Sequence, residues 1–312
     1  HIVSEDKTYY LQEDLGDTLL FHAIEWGGSY LNSRYVVVPR GYVQQSYVPG
    51  GQKNGLEFTV VYGYVGIAVE LEDFVADGLN EVGLAAGLFY FPHYGSYEAY
   101  DEEQRESTLS DLQLVPWMLS QFKTVDEVKE ALGTVHVVSS DPRASTAHWR
   151  IADASGRQVV LEIVDGIPHF YENELGVLTN SPGFEWQMTN LNNYVNLYAG
   201  GAEAKPFGKV KLAAFGAGSG FLGIPGDVTP PSRFVRAAFY QTSSPVQATA
   251  RKTVIDYTSL LLIEHILVVE VEDIYCHLPG LNGRTVRIDL DGILVVVQCL
   301  LPISFLSVGI SP

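Results

Sequence analysis

Three short runs, residues 148–153, 158–164 and 169–173, constrain this chain more than any other feature. Each reads as an antiparallel strand, and the breaks between them contain Ser155-Gly156 and Asp165-Gly166, dipeptides suited to tight hairpin turns. Strands joined this closely pair antiparallel, because a parallel pair needs a long crossover. The same grammar recurs upstream. Residues 9–11 and 18–26 predict a hairpin about Gly16-Asp17, residues 35–38 a strand closed by Pro39, and residues 59–67 another strand. Residues 77–84 are turn-rich and lead into a small-then-aromatic strand over 85–92. Tyr90, two residues before Pro92, is either core or a hydroxyl offered to a pocket. Helical spacing marks 107–122 and 124–132, the second opening with Thr124 as cap and Glu127 three residues on.

The strand reading leads into residues 176–194, GVLTNSPGFEWQMTNLNNY. Residues 176–179 read as a short strand that breaks at Asn180-Ser181-Pro182-Gly183, where proline removes an amide donor and glycine permits a turn. An asparagine at a strand end can aim its NH₂ at developing negative charge, as an oxyanion donor does. It is also ordinary turn punctuation. Trp186, Asn190, Asn192, Asn193 and Tyr194 then suggest an amide-rich wall with an aromatic floor.

Charge narrows the partners. The net charge of -18, from 19 Lys+Arg against 37 Asp+Glu, argues against nucleic acid and disfavours an anionic substrate unless local arginines offset it. Cys276 and Cys299 stand apart from any CxxC pair or metal-like histidine spacing and read as core thiols, so no metal and no cofactor is expected. A literal GxGxxG runs from Gly218 to Gly223, but Pro225, Gly226 and Pro230-Pro231 postpone the helix that a dinucleotide site needs. The helix starts instead near Pro231 and carries Arg233 in its first turn, as a surface ion-pair partner or a site cation. Residues 292–310 are uncharged and mostly apolar, which suits buried sheet or an altered reading frame better than a membrane span. His1 opens the chain without Met and without the pattern of a signal peptide, so a processed, trimmed or fragmentary start is the reading.

Four segments taken together, residues 62–69 (YGYVGIAV), 76–92 (ADGLNEVGLAAGLFYFP), 176–194 and 218–241 (GSGFLGIPGDVTPPSRFVRAAFYQ), resemble the choloylglycine hydrolase family of conjugated bile acid hydrolases and penicillin V acylases. The resemblance covers about residues 21–240 and leaves 1–20 and 241–312 divergent within a single domain of 1–312. It implies an α+β, four-layer αββα sandwich of two antiparallel sheets, the N-terminal nucleophile hydrolase fold, assembled as a homotetramer. It also implies cleavage of a linear amide in a small molecule, and a cytoplasmic or periplasmic location.

Carried over position by position, the resemblance implies that Asn180 is an oxyanion donor and that Arg233 gives electrostatic support. Tyr90 falls where bile-salt-type members have Asn and penicillin-type members have Tyr. The family's processed N-terminal Cys falls on Lys7, its Arg on His22 and its Asp on Glu25; counting back from Pro39-Arg40 without a gap puts Trp26 at the Asp instead. Lysine has no thiol. Ser4 or Thr8 would serve as an N-terminal nucleophile only after removal of the residues before it. Two readings of function therefore stand side by side: a linear amide hydrolase, and a relative that retains only the binding pocket. A nucleotide-binding oxidoreductase built on the GxGxxG is a weaker third.

Overall fold

The computed structural model describes residues 7–12, 18–24, 32–141, 145–244, 285–290 and 293–300. The chain opens with β1 (Lys7–Gln12) and β2 (Thr18–Ile24), then β3 (Ser33–Val38), and the hairpin of β4 (Val43–Val48) and β5 (Gln52–Thr59). A meander follows through β6 (Tyr64–Val69), β7 (Val75–Asn80) and β8 (Ala85–Tyr90). Next come β9 (Thr108–Ser110), α1 (Leu114–Gln121), α2 (Val125–Leu132) and β10 (His136–Val138), with β9 and β10 paired in parallel. A second meander is β11 (Ala147–Ala152), β12 (Gln158–Val164) and β13 (Ile167–Glu172). The remaining elements are α3 (Phe184–Asn190), the exposed hairpin of β14 (Lys205–Phe207) and β15 (Val210–Leu212), α4 (Pro230–Ser243), β16 (Thr285–Leu290) and β17 (Ile293–Leu300).

Two antiparallel sheets carry the fold. The larger has the order β13-β12-β11-β8-β7-β6-β3, and the smaller β1-β2-β17-β16. The two meanders join where β8 pairs with β11, Gly87 opposite Arg150. Helix α1 packs on β7 and β8 from one side, α4 packs against β1, and α3 packs against α4. The layers are thus helix, sheet, sheet, helix, and the αββα expectation holds.

The strands in the middle of the larger sheet are buried on both faces, β7 and β11 at every residue. Trp149 and Ile151 join Ala86, Leu114, Met118 and Leu161 in the core beneath α1 and α2. Burying such side chains contributes about 1.5–3 kcal/mol each and drives this face together. The alternate residues of β11, His148 and Arg150, are also buried, at 0% and 1% exposure.

Several predicted elements shift. The turn predicted over 77–84 starts only after Asn80, and Asp77 lies inside the fully buried β7. Asn80 fixes that boundary. Its Oδ1 accepts from the Val82 and Leu84 amides at 3.1 and 2.8 Å, while its Nδ2 donates to the Leu119 and Phe122 carbonyls at the end of α1. The strand predicted over 59–67 is two strands, because the Val61 and Tyr62 amides both turn away to the Ser120 carbonyl, at 2.9 and 3.0 Å. The helix predicted over 107–122 begins only at Leu114, since residues 108–110 pair with β10 instead. Residues 176–179 make a single ladder bridge at Leu178 in place of a strand; Asn173 holds that segment, with Oδ1 on the Gly176 amide and Nδ2 on the Val177 carbonyl.

The helices at 125–132 and near 231 form where expected. Thr124 Oγ1 accepts from the Glu127 amide at 3.2 Å. Residues 293–300 of the apolar tail form β17 beside β2, with Cys299 opposite Leu19; Cys276 and residues 301–310 lie outside the described residues. No helix among the described residues is long and apolar enough to cross a membrane.

Candidate active site

Asn180 follows the bridge at Leu178 and precedes a cis Ser181-Pro182 peptide, and its segment is pinned on both sides. Toward β8, Asn180 Nδ2 donates to the Tyr90 carbonyl at 2.8 Å and Ser181 Oγ to the Pro92 carbonyl at 2.7 Å. Toward α4, Thr179 Oγ1 donates to the Pro230 carbonyl at 3.1 Å, and Arg233 Nη2 donates to Asn180 Oδ1 at 2.7 Å. Only the oxygen of an amide can accept from a guanidinium and only its nitrogen can donate to a carbonyl, so these two partners fix which way the Asn180 side chain faces. Asn180 is 6% exposed and Arg233 1%. A cation that deep needs good hydrogen bonding to persist.

The start of α4 is itself braced. Asp227 Oδ2 accepts from Ser232 Oγ at 2.7 Å and its Oδ1 from the Thr229 amide at 2.9 Å. Hydrogen bonds from Ser232 and Thr229 hold the Asp227 carboxyl down at about 2. Arg233 projects from the turn so fixed.

The second half of the site lies between the sheets. His22 reaches from β2 to Asp77 on β7, with Nδ1 2.8 Å from Asp77 Oδ2 and its ring stacked on Phe89 at 4.2 Å. Arg150 Nη2 donates to the same Asp77 oxygen, also at 2.8 Å. Gly87 stands between Asp77 and Arg150 in the ladder, and only the missing Cβ lets the two side chains meet: one built there would lie 2.5 Å from Asp77 Oδ2 and 3.0 Å from Arg150 Nη2. Two residues further along β8, Phe89 stands opposite His148 of β11, and Glu162 lies beyond it on β12. His148 Nδ1 lies 3.3 Å from Glu162 Oε1, which also accepts from the Phe184 amide at 2.7 Å. That last bond ties the row to the segment carrying Asn180.

β8 therefore joins both halves through Gly87, Phe89 and the Tyr90 carbonyl. At about 3.4 Å rise per residue, these three positions span on the order of 10 Å. The structure brings Asn180, Arg233 and Tyr90 together and sets His22 one residue along from Tyr90. Lys7 stands opposite Ala23 in the β1–β2 register, adjacent to the His22 pair, and Glu25 lies outside the described residues. The contribution of Tyr90 to this contact is its main-chain oxygen and not its hydroxyl. The asparagines of 190–193 do not wall the site. Asn192 and Asn193 are exposed and bond within their own turn, to the Thr189 carbonyl and Asn190 Oδ1.

Asp77, Arg150, His148 and Glu162 are the buried polar residues that the sequence reading passed over. The trace they left was charge inside short strands, which strand periodicity alone reads as a solvated face. The GxGxxG does not open a helix: Gly218 is left-handed at φ 84, only a turn over Ser219–Phe221 follows, and a Cβ on Gly220 would collide with the Tyr198 carbonyl. No group of three or more His, Cys, Asp or Glu among the described residues could hold a metal ion.

Residues 13–267 match the linear amide C-N hydrolases, choloylglycine hydrolase family. The bile salt hydrolase/transferase of Clostridium perfringens is 36% identical over 214 residues, 67% of this chain and 63% of that protein. The chain thus spans less than two thirds of that relative's length. The bile salt hydrolase/transferase of Bifidobacterium longum subsp. longum is 36% identical over 238 residues, 75% of this chain and 73% of that one. Among solved structures, a mutant of the conjugated bile acid hydrolase from Clostridium perfringens superposes with a TM-score of 0.70 at 29% identity, covering 86% of this chain and 80% of the other.

Proposed function

This chain belongs to the choloylglycine hydrolase family of linear amide C–N hydrolases, and from that premise we propose that it cleaves a linear amide bond in a small molecule, with conjugated bile acids as the first substrate class and penicillin V as the second. The observation that carries the proposal is the Asn180–Arg233 couple, hydrogen-bonded at 2.7 Å and hooked to the end of β8 through the Tyr90 carbonyl. A side-chain amide held this rigidly can meet the oxygen of a polarised carbonyl without reorganising, which is how fixed donors lower the barrier to acyl transfer. The bile salt relatives support the first substrate class; the tyrosine at position 90 supports the second. Purified protein given glycodeoxycholate and penicillin V should release free amine or acid. Turnover no greater than that of a heat-killed control rejects the reading.

One observation favours a second reading, a relative that binds the ligand without cleaving it. Lys7 stands where the resemblance places a thiol. A chain beginning at residue 7 and carrying Lys7→Cys should gain amide hydrolysis under this reading, and a folded variant that gains none argues against it.

A homotetramer is the assembly we propose for either reading. The β14–β15 hairpin supports it, exposing Phe207 at 73% and Val210 at 60% beside Lys205, Lys209 and Lys211 on an otherwise acidic chain. Light scattering that returns a monomer mass would exclude it.

A further inference from the structure

A carboxylate buried to 3% exposure within β12 calls for a reason, and that of Glu162 leads to Asn180. Its Oε1 accepts from the Phe184 amide at 2.7 Å, and His148 Nδ1 stands 3.3 Å from the same oxygen. Helix α3 opens at Gly183, which has no side chain to cap it, so Glu162 supplies from the sheet an acceptor that the first helical amide needs. Gly183 leaves room for it, since a Cβ there would stand 3.0 Å from Glu162 Oε2. Only Ser181, Pro182 and Gly183 separate Phe184 from Asn180. The turn is therefore gripped at both ends, by the Tyr90 carbonyl of β8 on Asn180 Nδ2 at 2.8 Å and by Glu162 of β12 on the Phe184 amide. Strand β11 lies between β8 and β12 and pairs with both, so the sheet itself sets the spacing of the two holds. Gln187 adds a link inside the turn, with Nε2 donating to the Asn180 carbonyl at 3.4 Å. His148 steadies the carboxylate: it is buried, and its ring lies flat on that of Phe91, the residue after Tyr90, at 4.3 Å.

We propose that Glu162 is a positioning residue for amide cleavage: by holding the Phe184 amide it fixes the turn that carries Asn180, and with it the aim of the Asn180 side-chain amide. The assignment rests on reading Asn180 as the donor to the carbonyl oxygen of the substrate. Glu162 touches no reacting atom in this role and acts through the main chain of residues 181–184. A donor that drifts from its line loses strength toward charge that develops only during reaction, while substrate binding is little disturbed. A misplacement of about 1 Å can cost on the order of 10²-fold in rate. Glutamine at position 162 keeps an oxygen that can accept from the Phe184 amide, and alanine does not.

The test places Glu162→Ala, Glu162→Gln and Gly183→Ala in the full chain, each alone and combined with Asn180→Ala. On glycodeoxycholate or penicillin V, Glu162→Ala should lower kcat by about tenfold or more and move KM by roughly threefold at most, and Glu162→Gln should recover most of the kcat. With Asn180 already alanine, the same substitution should cost less than about twofold, because the group it aims has gone. A loss of equal size in both backgrounds overturns the proposal, as does a folded Glu162→Ala protein with unchanged kcat. Should Glu162→Ala fail to fold, Gly183→Ala crowds the same carboxylate without removing it and should lower kcat only where Asn180 is present; an equal loss with and without Asn180 again overturns the proposal. Hydrogen exchange over residues 178–187, read by mass spectrometry, is independent of the substrate. It should quicken in Glu162→Ala and return toward wild type in Glu162→Gln. Quickened exchange in a protein that turns over neither substrate upholds the hold on the turn and counts against the substrate reading alone, whereas unchanged exchange overturns the hold.

Discussion

Arg150 and Asp77 meet across a glycine. Their strands are both neighbours of β8, both residues pair with Gly87, and the guanidinium passes over that bare Cα to reach the carboxylate at 2.8 Å. Both side chains are about 1% exposed, so the pair depends on a contact that any other residue at position 87 would obstruct. Burial of this kind makes geometry decisive, because each charge has given up its water.

Gly87→Ala should therefore lower stability by about 1–3 kcal/mol, the usual cost of forcing atoms into a packed interior. Chemical denaturation of the two proteins under identical conditions checks this. An unchanged midpoint would mean that the ladder yields to make room.

Asn180→Ala should reduce the turnover number by about 10²–10³-fold, the loss typical when one oxyanion donor is removed. The Michaelis constant should move much less, since the donor acts on charge that develops after binding. Steady-state kinetics on the substrate that the wild-type protein turns over measures both. A variant with unaltered turnover would reduce Asn180 to a turn former.

Acid should weaken the fold in a defined window. Hydrogen bonds from Arg157, and then from Lys129, hold Glu172 down at about 2, and Ser232 and Thr229 do the same for Asp227. A carboxylate depressed on folding adds stability above its unfolded value, near pH 4, and that stability is lost as pH falls through about 2. Both groups are largely exposed, so screening keeps each effect small. Denaturation midpoints collected from pH 6 to pH 2 should fall at the acid end, and Glu172→Gln with Asp227→Asn should flatten the slope.

Thr124→Ala should cost about 1 kcal/mol, the ordinary value of a hydroxyl cap, because it removes the 3.2 Å bond to the Glu127 amide at the start of α2. Thr124→Ser should recover most of it. Thermal melts of the three proteins decide the point.

Particular residues show how much could be read in advance. The meander at 147–172 was legible because Gly156 and Gly166, at φ 86 and 73, do at each turn what those dipeptides announce. Asn180, Arg233 and Tyr90 were legible as a group only through the family resemblance; nothing in their local sequence distinguishes a site amide from a turn. The inter-sheet row was hidden by the strand pattern itself. Polar residues at alternate positions of a strand, such as His148 and Arg150, ordinarily mark a solvated face, whereas here His148, Arg150 and Glu162 are all buried. Asp77 was mistaken for turn chemistry because an Asp-Gly pair usually is one, and in β7 the glycine instead admits Leu119, whose Cδ1 would lie 2.5 Å from a Cβ at Gly78.

The hook on Asn180 is a peptide oxygen, and every amino acid brings one. Mutational drift at position 90 can thus change that side chain while the amide stays latched, leaving the residue free to vary on a mounting that never has to be rebuilt.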